Sequence, residues 1–350
     1  MTALLLFPKR YGLTKGIEQA LITQNIQVIV LDHNEILSKF EKKIKAHTFR
    51  LNQNLRARWN YYIFKKVNEW YKKKILELKP DLIIIYNHKM LHPELAKLIK
   101  QKNIKLAFYL GDSPFYSFTS DYYLELLDYA DAIFSPDSFW KIQLEKIGLT
   151  SIYFMPVNIS DSEYFNKGEI IGKKGYELDA VYIGTNYKNS WGYKKARFLH
   201  YFASTNLKII GDNGWKKWFA NFPDLEKHFH QKSGYIPVSE VNNLYNASKV
   251  IPVDGNPGIM HGLHSRVIEA LNAGSLPFME YNPDMDVVFD GINDLPYVKT
   301  YNEIPEKLQF LLNNDQFRQE KIVEMRNAFN KKYSKEKVGN FLLKAILGNE

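Results

Sequence analysis

Gly255-Asn256-Pro257-Gly258-Ile259-Met260-His261-Gly262-Leu263-His264-Ser265-Arg266-Val267-Ile268-Glu269-Ala270-Leu271-Asn272-Ala273-Gly274-Ser275-Leu276-Pro277-Phe278-Met279-Glu280-Tyr281 reads as a polar loop, a short helix and a strand. Gly274 is the stop signal of the helix, and the apolar run that follows is a buried strand. Leu263, Val267, Ile268 and Leu271 share one helical face and are expected to be buried. Arg266, Glu269 and Asn272 recur every third residue on another face, so a cation and a carboxylate look the same way. A helix start offers backbone N–H groups and the positive end of the dipole, and Gly262 lets a ligand come close to the chain. That combination suits a diphosphate, and Glu269, one turn deeper, can accept from the vicinal hydroxyls of a ribose. An ordinary Arg–Glu pair on a solvated face fits the same residues.

The neighbouring sequence decides what kind of domain holds this unit. Upstream, a strand over 180–183 ends in Gly184-Thr185-Asn186 before a helix over 191–204. Such a loop can bring N–H groups close to phosphate oxygens. A strand over 207–210 leads to Gly211-Asp212-Asn213-Gly214 and a tryptophan-rich helix from Trp215. Ser233-Gly234-Tyr235-Ile236-Pro237 opens a helix over 239–247, and 249–253 is the strand before the loop quoted above. Downstream come a helix from Asp284, a short strand around Tyr297 and three amphipathic helices, the last over 335–347.

The first half alternates in the same way, with strands over 3–7, 27–31, 82–86, 105–110, 132–134 and 151–154. Alternating strands and helices predict an α/β fold with a parallel sheet in each half. In open parallel sheets ligands bind beyond the carboxyl ends of the strands, so His88 and Asp112 are candidate catalytic bases; each could equally cap a helix or brace a turn. The expected boundaries are 1–157, a polar linker over 158–176, 177–330, and a terminal helix within 331–350 that packs back on the first domain.

At 350 residues two domains are expected. The absence of cysteine excludes a disulfide scaffold, a thiolate metal site and a cysteine nucleophile. The first strand is too short for a signal peptide, and no apolar run is long enough to span a bilayer, so a cytoplasmic protein is expected, at most peripheral at the inner membrane face. The nine histidines show no metal-ligand spacing. Asp284-Met285-Asp286 reads as the acidic start of a helix rather than a metal site. Neither metal nor cofactor is expected.

The net charge of +9 is concentrated: thirteen Lys and Arg stand against three Glu between Lys39 and Lys79, a balance of +10. Within this segment Leu51, Leu55, Trp59, Ile63, Val67, Tyr71, Ile75 and Leu78 form one apolar stripe, which predicts a single long helix. Its charges either are merely solvated or attract membrane headgroups, an anionic acceptor or nucleic acid.

In this order the motifs resemble the GT-B glycosyltransferases, in particular the group-1-like branch that includes CgeB-type spore maturation proteins. The matching residues are Tyr182-Ile183-Gly184-Thr185, Ile210-Gly211-Asp212-Asn213-Gly214-Trp215, Gly234-Tyr235-Ile236-Pro237 and 262–274 in the second half, with Pro80-Asp81-Leu82-Ile83-Ile84 and Gly111-Asp112-Ser113-Pro114 in the first. The resemblance implies two Rossmann-like domains facing each other across a cleft. It also implies a metal-independent transfer of a sugar from a nucleotide sugar, UDP-linked by preference, to a glycan, lipid-linked or protein acceptor. It puts Gly184 and Thr185, with Asn186, Lys188 and Gly211 beside them, at the diphosphate. Tyr235 and Ile236 would meet the base, Arg266, His264 and Ser265 the phosphates, and Glu269 the ribose. Many relatives carry a further glutamate where this chain has His261, which leaves the sugar contact and the stereochemical class open. Lys188, Lys194, Lys195 and Arg197 follow the first loop closely enough to be tried as the basic pair found in retaining relatives. A nucleotide-sugar epimerase, a DNA-modifying glycosyltransferase and a non-catalytic sugar-binding protein are the competing readings.

Overall fold

The computed structural model describes residues 1–9, 12–48, 51–87, 90–115, 122–156, 165–167, 177–232, 234–256 and 258–348. His88 and most of the predicted linker lie outside the described residues. The chain divides into two compact units, Met1–Ile159 with Lys335–Glu350, and Ser160–Ser334.

The first unit is a six-stranded parallel sheet of β1 (Thr2–Leu6), β2 (Gln27–Val30), β3 (Leu82–Tyr86), β4 (Lys105–Tyr109), β5 (Ala132–Ser135) and β6 (Ile152–Phe154), in the order β2-β1-β3-β4-β5-β6. The central strands are continuous apolar runs because helices cover both faces of a parallel sheet; Leu82, Ile83 and Ile84 have no exposed surface. The connections include α1 (Gly12–Ile22), α2 (Lys39–His47), α3 (Gln53–Leu78), α4 (Pro93–Gln101), α5 (Tyr123–Leu127) and α6 (Ser138–Lys146).

The long helix forms, but its apolar stripe is only partly used. Ile63, Val67, Tyr71 and Ile75 are buried, whereas Leu55 is 52% exposed and residues 52–58 are all exposed. The expectation that Leu51 and Leu55 continue the packed stripe is corrected accordingly.

The second unit is also a six-stranded parallel sheet. Its elements are β7 (Leu178–Ile183), α7 (Ser190–His200), β8 (Leu207–Gly211), β9 (Phe229–Gln231), α8 (Val238–Asn246), β10 (Ser248–Val253), α9 (Arg266–Ala273), β11 (Leu276–Glu280), α10 (Asp284–Val288), β12 (Tyr297–Val298), α11 (Ile304–Asn313) and α12 (Asp315–Tyr333). The strand order β12-β11-β10-β7-β8-β9 reverses direction between β7 and β10. The predicted tryptophan-rich helix is a tighter 3-10 turn over Asn213–Trp218. Its indoles serve the neighbouring loops: Trp215 donates to the Gly184 carbonyl and Trp218 to that of Tyr187, both at 2.9 Å.

The last helix, α13 (Lys335–Leu347), packs on α1 in the first unit. Gly339 permits that approach, since a Cβ there would lie 2.1 Å from the Ala20 carbonyl oxygen. No described helix is long and apolar enough to cross a membrane.

Candidate functional site

Strand order reverses where β7 and β10 lie side by side, and the loops leaving them diverge, which opens a crevice at their carboxyl ends. The loop after β7 is held from behind. Its three successive carbonyls at Ile183, Gly184 and Thr185 accept from Arg266 Nη2 at 2.8 Å, Trp215 Nε1 at 2.9 Å and Lys195 Nζ at 3.0 Å. The Asn186 N–H donates to Asp212 Oδ1 at 3.2 Å. Gly211 fits because a Cβ there would lie 2.4 Å from the Gly184 oxygen. The structure thus brings Gly184, Thr185, Asn186, Gly211 and Arg266 together at the end of β7.

Two further residues complete this cluster. Asp254, immediately after β10, is buried and receives Tyr182 Oη at 2.7 Å and Arg266 Nη1 at 3.2 Å. Lys195, on the buried face of α7, stands 3.8 Å from the other Asp254 oxygen. Burial alone would raise the Asp254 carboxyl, but the charges of Lys195 and Arg266 and the Tyr182 hydroxyl more than offset it and hold it below the usual carboxylate range. Burial lowers Lys195, and Asp254 opposes that shift. The cluster thus sets two cations, Arg266 and Lys195, around Asp254, with the Asp212 carboxylate also acting on Lys195.

Helix α9 begins at Arg266, so Leu263 precedes the helix it was expected to share, though it is buried. The first-turn N–H groups are also less available than expected. Arg266 N–H donates to His264 Nδ1 at 3.2 Å, Val267 N–H to the His264 carbonyl at 3.0 Å and Ile268 N–H to that of Ser265 at 3.1 Å. His264 must therefore be unprotonated at Nδ1. Burial first, and the Arg266 charge second, push its imidazole down to about 3. In this state the Arg266 guanidinium and Lys195 are the cationic groups at this point, and the N–H groups of the first turn are engaged.

Glu269 is half-buried one turn along α9. Arg266 and Glu269 both act on the buried Tyr245 phenol, which burial and Glu269 push up and Arg266 pulls down. His261 and Ser265 are half-buried and Gly262 is buried; the His261 carbonyl accepts from Asp284 N–H at 3.1 Å. That bond fixes the start of α10, whose Asp286 accepts from Tyr281 Oη at 2.8 Å.

Tyr235 is 67% exposed on the loop at the carboxyl end of β9, after Gly234 with φ +93°. Ile236 is half-buried. Lys188 is exposed; its carbonyl accepts from Lys217 Nζ at 2.5 Å, and none of the bonds that tie the cluster together uses its side chain. Lys194 instead pairs with Glu280 at the end of β11, which also takes the Gly255 N–H at 3.1 Å and the Tyr301 hydroxyl. Arg197 is exposed on α7.

In the first unit, Asp112 is exposed beyond β4. Asn87, at the end of β3 with φ +40°, orients it: its Nδ2 donates to Asp112 Oδ2 at 2.9 Å, and its Oδ1 accepts from Gly111 N–H at 2.8 Å. Asp112 is thus a positioned carboxylate at a sheet's carboxyl edge.

Comparison with known proteins agrees with this architecture. Residues 194–344 match the family model described as glycosyl transferase-like. The spore protein CgeB of Bacillus subtilis is 21% identical over 179 residues, which are 51% of this chain and 53% of that protein, so the chain spans about half the length of this curated relative. The crystal structure of Anabaena HepE in complex with UDP-glucose superposes with a TM-score of 0.60 at 13% identity, covering 99% of this chain and 100% of that one. Trehalose-6-phosphate synthase OtsA gives a TM-score of 0.64 at 12% identity, covering 99% and 98%. With two parallel six-stranded sheets the chain has the GT-B fold, and its second half is similar to the glycosyl transferase-like family.

Proposed function

We propose that this protein is a glycosyltransferase that takes a UDP-linked sugar in its second unit and transfers the glycosyl group to an acceptor nucleophile. The observation that carries the reading is the pair of cations, Arg266 and Lys195, set at the strand-order reversal between β7 and β10. A nucleotide diphosphate is the ligand such a site stabilises, both when bound and as a leaving group. The similarity to a protein solved with UDP-glucose supports the choice of base.

On this reading Gly184 and Thr185 lie along the diphosphate, Glu269 takes the ribose hydroxyls, and the Tyr235-Ile236 segment receives the base. The two cations do the work that a divalent metal does in other transferases, so the transfer is metal-independent. His261 stands where relatives carry a carboxylate, so its imidazole meets the sugar or a phosphate oxygen. The base for an acceptor hydroxyl is Asp112, already oriented by Asn87.

A thermal-shift screen over UDP-, GDP-, dTDP- and CMP-sugars, repeated on Glu269→Ala, tests this. A donor stabilises the folded state by an amount that grows with the logarithm of its concentration over Kd. Selective stabilisation by one UDP-sugar, weakened in the variant, is expected. No shift with any nucleotide, or an equal shift in the variant, refutes the donor assignment.

A further inference from the structure

The charge between Lys39 and Lys79 takes no part in the site of the second unit. With +10 in that segment and +9 on the whole chain, all other residues together carry about −1. Along α3 and its C-cap, Arg58, Lys65, Lys72 and Lys79 recur every seventh residue. Seven residues are close to two helical turns, so Arg58, Lys65 and Lys72 stand in one row at intervals of about 10.5 Å, and Lys79 follows at the left-handed cap. All four are exposed, and the three in the row point away from the buried Ile63, Val67, Tyr71 and Ile75. Among the described residues no ion pair engages any of the four, unlike Lys66 with Glu41 and Lys74 with Glu77.

Apolar side chains interleave with the row. Tyr61 is 67% exposed and Leu76 42%, both on the same face, and Leu55 and Tyr62 flank it. Helix α2 adds Lys39, Lys42, Lys43 and a 68% exposed Phe40. It is tied to α3 through Glu41, which accepts from Lys66 at 2.8 Å and Tyr62 at 3.1 Å. Exposed Glu69, between Lys65 and Lys72, is one carboxylate against the four cations, and the large exposed apolar groups exceed what a merely solvated face needs.

The geometry points to a docking surface on α2 and α3 for an anionic lipid bilayer, with the row of cations on headgroup phosphates and the exposed aromatic side chains at the interface. One feature favours a bilayer over a nucleic acid: isolated aromatic and aliphatic side chains beside the cations suit the headgroup level. Each Lys or Arg near such a surface strengthens binding roughly five-fold, so the four together are worth on the order of several hundred-fold at low salt.

The test is co-sedimentation of the full chain with vesicles of phosphatidylcholine alone and of phosphatidylcholine with phosphatidylglycerol, at low and high salt. The variant replaces Arg58, Lys65, Lys72 and Lys79 with Ala. A control replaces Lys102, Lys216, Lys227 and Lys299 with Ala, removing the same charge elsewhere. Binding to the anionic vesicles only, lost at high salt and reduced about a hundred-fold or more in the α3 variant but not in the control, is the expected result. No binding to anionic vesicles, equal loss in both variants, or tighter binding to duplex DNA at the same ionic strength overturns the proposal. Both variants change exposed side chains, and matching circular dichroism melts establish that each is folded.

Discussion

Arg266 Nη1 lies 3.2 Å from Asp254 Oδ1, and the same guanidinium reaches the Ile183 carbonyl at 2.8 Å. One side chain from the start of α9 therefore binds the carboxyl ends of both β7 and β10, the two strands between which the sheet reverses its order. Removing it leaves Asp254 buried with Tyr182 and a Lys195 ammonium 3.8 Å away. Breaking a buried ion pair costs about 3–5 kcal/mol, and the remaining cation places Arg266→Ala near the lower end. Arg266→Lys cannot reach Asp254, Tyr182 and Ile183 together. It should lose less stability than the alanine variant while losing donor-induced stabilisation almost as fully. Urea unfolding with and without a UDP-sugar separates the two effects; wild-type stability in Arg266→Ala would show that the strand ends do not depend on this contact.

His264 gives the fold a pH dependence of known sign. Its folded value, about 3, lies below the ordinary imidazole value of 6.5. Between those limits the unfolded chain binds a proton that the folded chain does not. Stability therefore falls as pH drops through this window, at up to about 1.4 kcal/mol per pH unit from this residue. His264→Asn keeps an acceptor for the Arg266 N–H and removes the titration. Urea midpoints from pH 7 to pH 4.5 should fall less steeply in the variant; parallel curves would contradict a neutral, buried imidazole.

The parts of this architecture that were readable in the sequence are those set by local chemistry. Gly274, at φ +82°, ends α9 as its position predicts, and the continuous apolar runs mark strands buried on both faces. The loops at Gly184 and Asp112 were placed because a parallel sheet gathers all its strand ends on one edge. Asp254 was missed because a lone aspartate after a strand looks like any turn residue. Only the pairing of β10 with β7, about seventy residues earlier in the chain, brings Tyr182 and Lys195 to it. Lys195 was one of four basic residues in a short span, and side-chain burial on α7 distinguishes it from exposed Lys188 and Arg197. The engaged N–H groups of α9 were not legible either, since one depends on the rotamer of His264 and the others on the backbone path at His264 and Ser265.

Two glycines near the site separate ligand binding from folding. A Cβ at Gly184 would lie 2.6 Å from Arg266 Nη2, the far end of a side chain that can withdraw. Gly184→Ala should therefore cost less stability than Arg266→Ala, since the guanidinium is displaced rather than removed, yet weaken donor binding at least ten-fold, because Arg266 must leave its position. At Gly192 the Cβ would lie 1.8 Å from the Tyr187 carbonyl oxygen, which is backbone. Gly192→Ala should cost about 3 kcal/mol or more. Similar unfolding midpoints for the two variants would contradict this distinction.

If Arg266 and Lys195 supply the charge at the leaving diphosphate, turnover does not depend on a divalent ion. Activity measured after exhaustive EDTA treatment should equal that of the untreated protein. A loss that manganese or magnesium restores would assign the charge to a metal instead.

Asp112 is the remaining element of the proposed chemistry. Its carboxylate is exposed and acts as an acceptor only, and Asn87 Nδ2 orients it through the 2.9 Å bond to Oδ2. Asp112→Asn keeps the size of the side chain and removes the base, so kcat should fall by about 10²–10⁴. Donor-induced stabilisation should be unchanged, because the residue is assigned no contact with the nucleotide. Asn87→Ala leaves the carboxylate in place and frees its orientation, predicting a smaller fall in kcat with little change in KM for the donor. An Asp112→Asn protein that turns over at the wild-type rate would exclude it as the base. Loss of donor stabilisation in that variant would move Asp112 into the donor site and require a different group to activate the acceptor.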